Sequence, residues 1–247
     1  MRRVPWPFGL ISAVLAAMSS AHAVECKNEM VGVVTFTTCR VDLRREALRL
    51  YWRDDAGKAY GTLPNLRDAL AKQGKTLTFA MNAGMYQEDL SPLGLFVTDH
   101  RELARLNRRK GLGNFYQRPN GVFLVEDAGA RVVTTDEYAD SQPHPLLATQ
   151  SGPILVYHGV ITESPVMNPQ STSLRIRNGV CAPSPGSAVF VISDSPVAFY
   201  DFARFFLDKL SCREALYLDG SISSLYAPSV GRSDYWRDLG PMFGVTE

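Results

Sequence analysis

The segment that most restricts this chain runs Ala215-Leu216-Tyr217-Leu218-Asp219-Gly220-Ser221-Ile222-Ser223-Ser224-Leu225-Tyr226. Its short apolar run reads as a buried strand. The strand ends abruptly in a single carboxylate, followed by small and hydroxyl residues. A carboxylate at the tip of a core strand is costly unless it is paired or put to work. Gly220 lets the chain turn sharply, and the serines offer short hydrogen-bonding groups around the acid. A chain with this segment must build a rigid core whose strands end in a polar cradle.

The same pattern recurs elsewhere. Residues 31–43 alternate with β-branched side chains and read as a strand, with 48–52 as its hairpin partner. Residues 76–81, 93–98, 154–157, 188–192 and 242–245 read as further strands, and 121–126 with 130–134 as a hairpin around Asp127-Ala128-Gly129. A short helix is expected over 65–73, capped by Asn65, with Leu66, Ala69 and Leu70 on one face. A second follows from the helical spacing of Phe199, Phe202, Ala203, Phe206, Leu207 and Leu210, a stripe that reads as core packing. The strand–helix–strand unit at 188–218 is expected to supply one parallel pairing. Many strands, few helices and no repeat or linker predict an α+β fold, one domain with a mixed β-sheet core.

The N-terminus reads as a secretory signal. Arg2 and Arg3 form a basic start, residues 8–18 are apolar but too short to span a bilayer, and Ala21-His22-Ala23 is a small-x-small cleavage site. The mature chain is expected to begin at Val24; Glu25 before Cys26 argues against lipidation. No later stretch is long and apolar enough for a transmembrane anchor. The formal net charge of +1 becomes −1 once Arg2 and Arg3 are removed, which gives no argument for nucleic acid. Export is expected, to the periplasm rather than the medium, since no anchor or wall-sorting signal is seen.

An oxidising compartment changes how Cys26, Cys39, Cys181 and Cys212 read. Four cysteines allow three complete pairings. Cys26–Cys39 with Cys181–Cys212 is favoured, because each pair brackets adjacent elements. No C-x-x-C spacing suggests zinc.

Several chemistries are unsupported. There is no G-x-S-x-G elbow. Gly74-Lys75-Thr76 lacks the earlier glycine of a P-loop, and Gly111-Leu112-Gly113 lacks the third glycine of a dinucleotide site. His100, His144 and His158 have no metal-ligand spacing. The arginines of 101–118 read as a solvated loop.

Polar residues gather at the ends of the expected strands: Asn82, Gln150, Ser151, Arg175, Arg177, Asp194, Asp219, Ser223 and Ser224. Convergence of these ends would make one pocket. Arginine suits phosphate through its planar fork of donors, and a carboxylate can act as nucleophile or as base to a water. The combination fits a substrate that joins a sugar to a phosphate. In a sugar-1-phosphodiester the phosphate is already a good leaving group, so the site must support an oxocarbenium-like centre and neutralise the departing phosphate.

The run Asn82-Ala83-Gly84-Met85-Tyr86, then Gln150-Ser151-Gly152-Pro153, residues 175–180, and Leu218-Asp219-Gly220 with Ser223-Ser224 resembles the phosphodiester glycosidase family, and more narrowly its bacterial exported branch. The resemblance spans about residues 76–245. It implies an α+β fold and hydrolysis of a glycosyl phosphodiester at the sugar side. It places Asn82, Gly84, Ser151, Gly152, Arg175, Gly179, Asp219, Gly220, Ser223 and Ser224 on motif positions. Ser221 and Ile222 stand where the family often has two glycines, and Ile222 adds bulk.

Asp219, Arg175 and Asn82 are therefore the expected catalytic set. Ser151, Gly152, Arg177, Gly220, Ser223, Ser224 and Asp194 are expected to bind substrate, a carbohydrate or glycosyl phosphate. No cofactor is expected. A metal-assisted phosphodiesterase using aspartates is the alternative enzyme. A glycan-binding or envelope-assembly protein without turnover is the non-enzyme alternative.

Overall fold

The computed structural model describes residues 24–235 and 238–247; the leader read at 1–23 lies outside them. Among the described residues the strands gather into three sheets. The seven-stranded sheet runs, in spatial order, Glu25–Val31, Val34–Asp42, Ser187–Ser193, Asn178–Ser184, Ala215–Asp219, Ile154–Tyr157 and Val160–Ile161. A second orders Arg232–Ser233, Leu225–Ala227, Leu77–Asn82, Met242–Thr246 and Leu48–Tyr51. The third orders Arg101–Ala104, Phe96–Thr98, Leu147–Ser151, Gly121–Glu126 and Gly129–Thr134.

The α+β class and the strand-rich core are as the sequence predicts, but several pairings differ. Residues expected as one strand over 31–43 are the second half of a hairpin, Glu25–Val31 against Val34–Asp42. Leu48–Tyr51 does not pair with it; it pairs with Met242–Thr246, nearly the whole chain away. The expected parallel pairing is also absent among the described strands. Ser187–Ser193 and Ala215–Asp219 share a sheet, but Asn178–Ser184 lies between them, antiparallel to both. Helical content differs at its edges. The first helix is Leu63–Ala71, capped by the Thr62 hydroxyl, which accepts from the Asn65 amide at 3.1 Å; Asn65 is inside the helix. A helix at Thr135–Ser141 was not anticipated, although Thr134 and Glu137 form a reciprocal capping box. The basic stretch contains the strand Arg101–Ala104 and a one-turn 3-10 helix, Asn114–Tyr116.

The three sheets close on a common apolar core. Phe190 from the first lies 5.0 Å from the Phe79 ring and 4.8 Å from the Phe243 ring of the second, and Phe243 lies 5.6 Å from Phe123 of the third. All four side chains are buried. Alternation along Ala215–Asp219 sends Leu216 and Leu218 into this core, while Ala215 and Tyr217 face a second layer. That layer is the predicted aromatic helix, Phe199–Arg204 continued by a π-helical turn Phe205–Lys209, with Phe202, Phe205 and Phe206 buried against Phe36 and Tyr217. Asp219 is on the Tyr217 face of its strand, and this decides which neighbours it meets.

Both favoured disulfides are present. Cys26 and Cys39 are direct partners across the first hairpin. Cys181–Cys212 ties Asn178–Ser184 to the segment entering Ala215–Asp219.

Candidate active site

Strand ends from all three sheets meet around Asp219. Sheet register brings Asn178 opposite Asp219, with a bulge just beyond it. Asn82 arrives at the end of Leu77–Asn82 in the second sheet, and Ser151 at the end of Leu147–Ser151 in the third.

Asp219 is only 7% exposed. Its Oδ1 accepts from the Gly220 amide at 2.5 Å and the Ser221 amide at 2.7 Å. The turn after the strand therefore folds its own backbone donors onto the carboxylate. Gly220 is required for this: a Cβ there would fall inside the Tyr217 hydroxyl and 3.4 Å from Arg177 Nη1. Burial pushes the Asp219 carboxyl above the ordinary carboxylate range, while amide hydrogen bonds from Ser221, Gly220 and Ile222 pull the other way.

Asn82 and Asn178 lock each other. Asn178 Nδ2 donates to Asn82 Oδ1 at 3.0 Å and to the Asn82 carbonyl at 3.1 Å, and the Ser224 amide donates to the same Oδ1 at 2.9 Å. The Ser223 hydroxyl lies within reach of the Asp219 carbonyl at 2.9 Å and Asn178 Oδ1 at 3.2 Å. The Ser151 hydroxyl donates to the Leu218 carbonyl at 3.0 Å. Asn82, Ser151, Gly220, Ser223 and Ser224 thus belong to one bonded cluster around Asp219, with Asn178 as its unforeseen member. Gly152 packs beside it, where a Cβ would strike Asn120 Cβ at 2.6 Å and the Phe115 carbonyl at 2.8 Å.

The two arginines divide. Arg175 is exposed, and its Nη1 donates to the Leu174 carbonyl at 2.7 Å. Arg177 is 1% exposed. Its guanidinium donates to the carbonyls of Val197 at 2.8 Å and Ser173 at 2.8 Å and to the Tyr217 hydroxyl at 3.2 Å, and it stacks 3.6 Å over the Phe199 ring. All these partners are neutral, and among the described residues no carboxylate pairs with it. Burial lowers its pKa from the usual arginine value, with a smaller push from Arg175. A cavity of about 410 Å³ opens where the two arginines meet Tyr217, Gly220, Ser221 and Asn114. Burial also raises the Tyr217 phenol.

Asp194 is not in this group. It lies past the end of Ser187–Ser193, ion-paired with Arg232 and accepting from the Thr37 hydroxyl at 3.1 Å. Asn114, Tyr217 and Asn178 join the site without having been among the residues expected there. Tyr217 hides in an apolar strand and Asn114 in a loop read as solvated. Asn178 had a signal, since it follows two candidate arginines at a strand start. Among the described residues no group of three or more His, Cys, Asp or Glu side chains is placed to hold a metal ion.

Fold and site together place a buried carboxylate and a buried guanidinium at the strand ends of an α+β protein. The phosphodiester glycosidase family model matches residues 75–246, and the chain belongs to that family. It is 39% identical over 193 residues to the uncharacterized protein YigE of Escherichia coli K12, covering 78% of this chain and 74% of YigE. The fold is similar to the zebrafish N-acetylglucosamine-1-phosphodiester α-N-acetylglucosaminidase catalytic domain, auto-inhibited by its pro-peptide, at TM-score 0.65 and 15% identity, over 93% of this chain and 85% of that one. A Burkholderia pseudomallei protein described as exported also shares the fold, at TM-score 0.55 and 11% identity, over 86% of this chain and 74% of its own.

Proposed function

We propose that this protein hydrolyses a glycosyl phosphodiester between the sugar C1 and the phosphate oxygen. The observation that carries the reading is Arg177. A guanidinium this deeply buried with only neutral partners is expensive to keep, and an anion in the adjoining cavity would offset that cost. Three of its donors are used by the protein, which leaves others of its five for a ligand. Arg175, exposed at the same cavity, supplies the second fork for a phosphate.

Asp219 is the carboxylate of the reaction, as nucleophile towards C1 or as base to the attacking water. Its fixed Oδ1 makes it a positioned rather than a searching group. The departing phosphate gains negative charge as C1–O breaks, and the two arginines meet that charge. Asn82, Ser151 and Ser224 position the strand ends and through them the substrate, with Gly152, Gly220 and Ser223 shaping the cradle; Asp194 acts outside it. The protein is exported through its leader, and residues 1–23 are then removed. Two disulfides suit an oxidising compartment, and the periplasm is favoured.

The test is product analysis on a panel of sugar-1-phosphodiesters, with and without chelator, beside Asp219→Asn. Free sugar and a phosphomonoester, lost in the variant and indifferent to chelator, are expected. Sugar phosphate that disappears with chelator would replace this reading with a metal-assisted phosphodiesterase. A folded protein that binds the panel saturably without product would make it a glycan-binding protein.

A further inference from the structure

The arginines of the basic stretch are exposed, as expected of a solvated loop, but its backbone is fastened to the core. Gln150, 2% exposed, grips it: Gln150 Oε1 accepts from the Asn107 amide at 2.8 Å, and Gln150 Nε2 donates to the Asn107 carbonyl at 2.8 Å. Asn107 Nδ2 then donates to the Leu93 carbonyl at 2.8 Å, and Asn107 Oδ1 accepts from the Arg109 amide at 3.0 Å. Gln150 adjoins Ser151, so the anchor of this segment is the strand that ends in the active cluster.

Held this way, Arg105, Arg108 and Arg109 converge with Gln87 and Tyr116 on a cavity of about 300 Å³. Arg108 pairs with Asp136 at 3.2 Å. Among the described residues Arg105 and Arg109 have no carboxylate partner. Three exposed guanidinium groups around one hollow raise its positive potential, which favours a bound anion. The turn Asn114–Tyr116 links this hollow to the active cavity: Phe115 is buried, Asn114 lines the cavity of Arg175 and Arg177, and Tyr116 lines the arginine hollow. Gly111 packs flat on the Tyr116 ring, where a Cβ would stand 2.7 Å from it.

We infer that this hollow receives a second phosphate of the same substrate. The substrate class is then a chain of sugars joined by phosphodiesters, read at two phosphates at once, rather than a single glycosyl phosphate. The inference rests on the proposed glycosidase reading for the identity of the ligand, and it assigns Arg105 and Arg109 as the residues that set chain-length preference.

The test is calorimetric titration of the mature chain, and of its Asp219→Asn form, with hexose-1-phosphate oligomers carrying one, two or four phosphates. The two-phosphate ligand is expected to bind about tenfold or more tightly than the one-phosphate ligand, through the second contact. Its affinity should also fall more steeply with salt. Arg105→Ala/Arg109→Ala should erase the length preference, whereas Arg175→Ala should weaken all lengths alike. Arg105→Gln/Arg109→Gln repeats the measurement if the alanine pair does not fold. Affinity independent of length, a preference that survives both double variants, or no binding of any oligomer overturns the inference. A length preference lost in the variants, with no oligomer hydrolysed by the wild-type protein, upholds the hollow and overturns the glycosidase reading instead.

Discussion

Two strands of the same sheet, Ser187–Ser193 and Ala215–Asp219, lead into an aspartate, and their surroundings treat the two carboxylates oppositely. Asp194 leaves the strand, meets Arg232 and keeps a side chain 32% exposed. Asp219 is buried and takes its hydrogen bonds from the backbone that follows it. The difference lies in the next residue. Gly220 lets the chain double back beneath Tyr217, whereas Ser195-Pro196 carries the chain away towards Val197 and its bridge to Arg175. An apolar run ending in an acid is therefore a common motif with two outcomes. The turn chemistry decides whether the acid becomes a surface ion-pair partner or a withheld charge.

The widest separation of the two should be in turnover. Asp219→Asn is expected to lower kcat/KM by about a thousandfold, within the range for removing a positioned acid–base group. Asp194→Asn should change it by no more than about threefold, the scale of an exposed ion pair. Equal losses would break the comparison. Next is the turn. Gly220→Ala drives a methyl into the Tyr217 hydroxyl and should cost about 1–3 kcal/mol by denaturant melting. Ser195→Ala at the corresponding place after Asp194 should stay within about 0.5 kcal/mol.

A pH series sharpens the same contrast. Burial raises the Asp219 pKa in the folded protein, so the folded state holds that proton more tightly than the unfolded chain. Ionisation then costs stability as pH climbs from the unfolded value, about 3.9, through the higher folded one. Asp219→Asn has no such cost. Its advantage in Tm over the wild type should be absent below that window, grow across it and level off above it. A Tm difference that does not vary with pH would mean the carboxylate is not desolvated. A small effect is also expected from Asp194→Ala, a loss of about 0–1 kcal/mol that shrinks in high salt.

What the sequence disclosed was what is local. The strand into Asp219, the 121–134 hairpin, the aromatic helix and both disulfides depend on periodicity, turn residues or nearby spacing. The partner of Leu48–Tyr51 did not, because Met242–Thr246 is chosen by closure of a shared core rather than by any signal near residue 48. Within the site, Asp219, Asn82, Ser151 and the serines were legible as polar residues out of place at strand ends. Asn114 and Tyr217 were not. Tyr217 obeys the apolar alternation of its strand, and only the fold shows that its hydroxyl meets Arg177. The arginines of the basic stretch are solvated as their composition suggests, but its anchor was not legible, because Gln150, far along the chain, supplies it.

The bridge between Cys181 and Cys212 has a consequence for where the protein can be made. It closes a sequence separation of 31 and joins the strand that carries Asn178 to the segment that enters the strand presenting Asp219. Without the bond the unfolded chain regains about 3–4 kcal/mol of freedom, a large share of an ordinary folding margin. The strands that bring Asn178 and Asp219 together would then rely on amide ladders and core packing without a covalent tie. A copy retained among cytosolic thiols would carry every residue of the site and yet hold it loosely. The order of the candidate site in this architecture is thus tied to forming that one covalent bond.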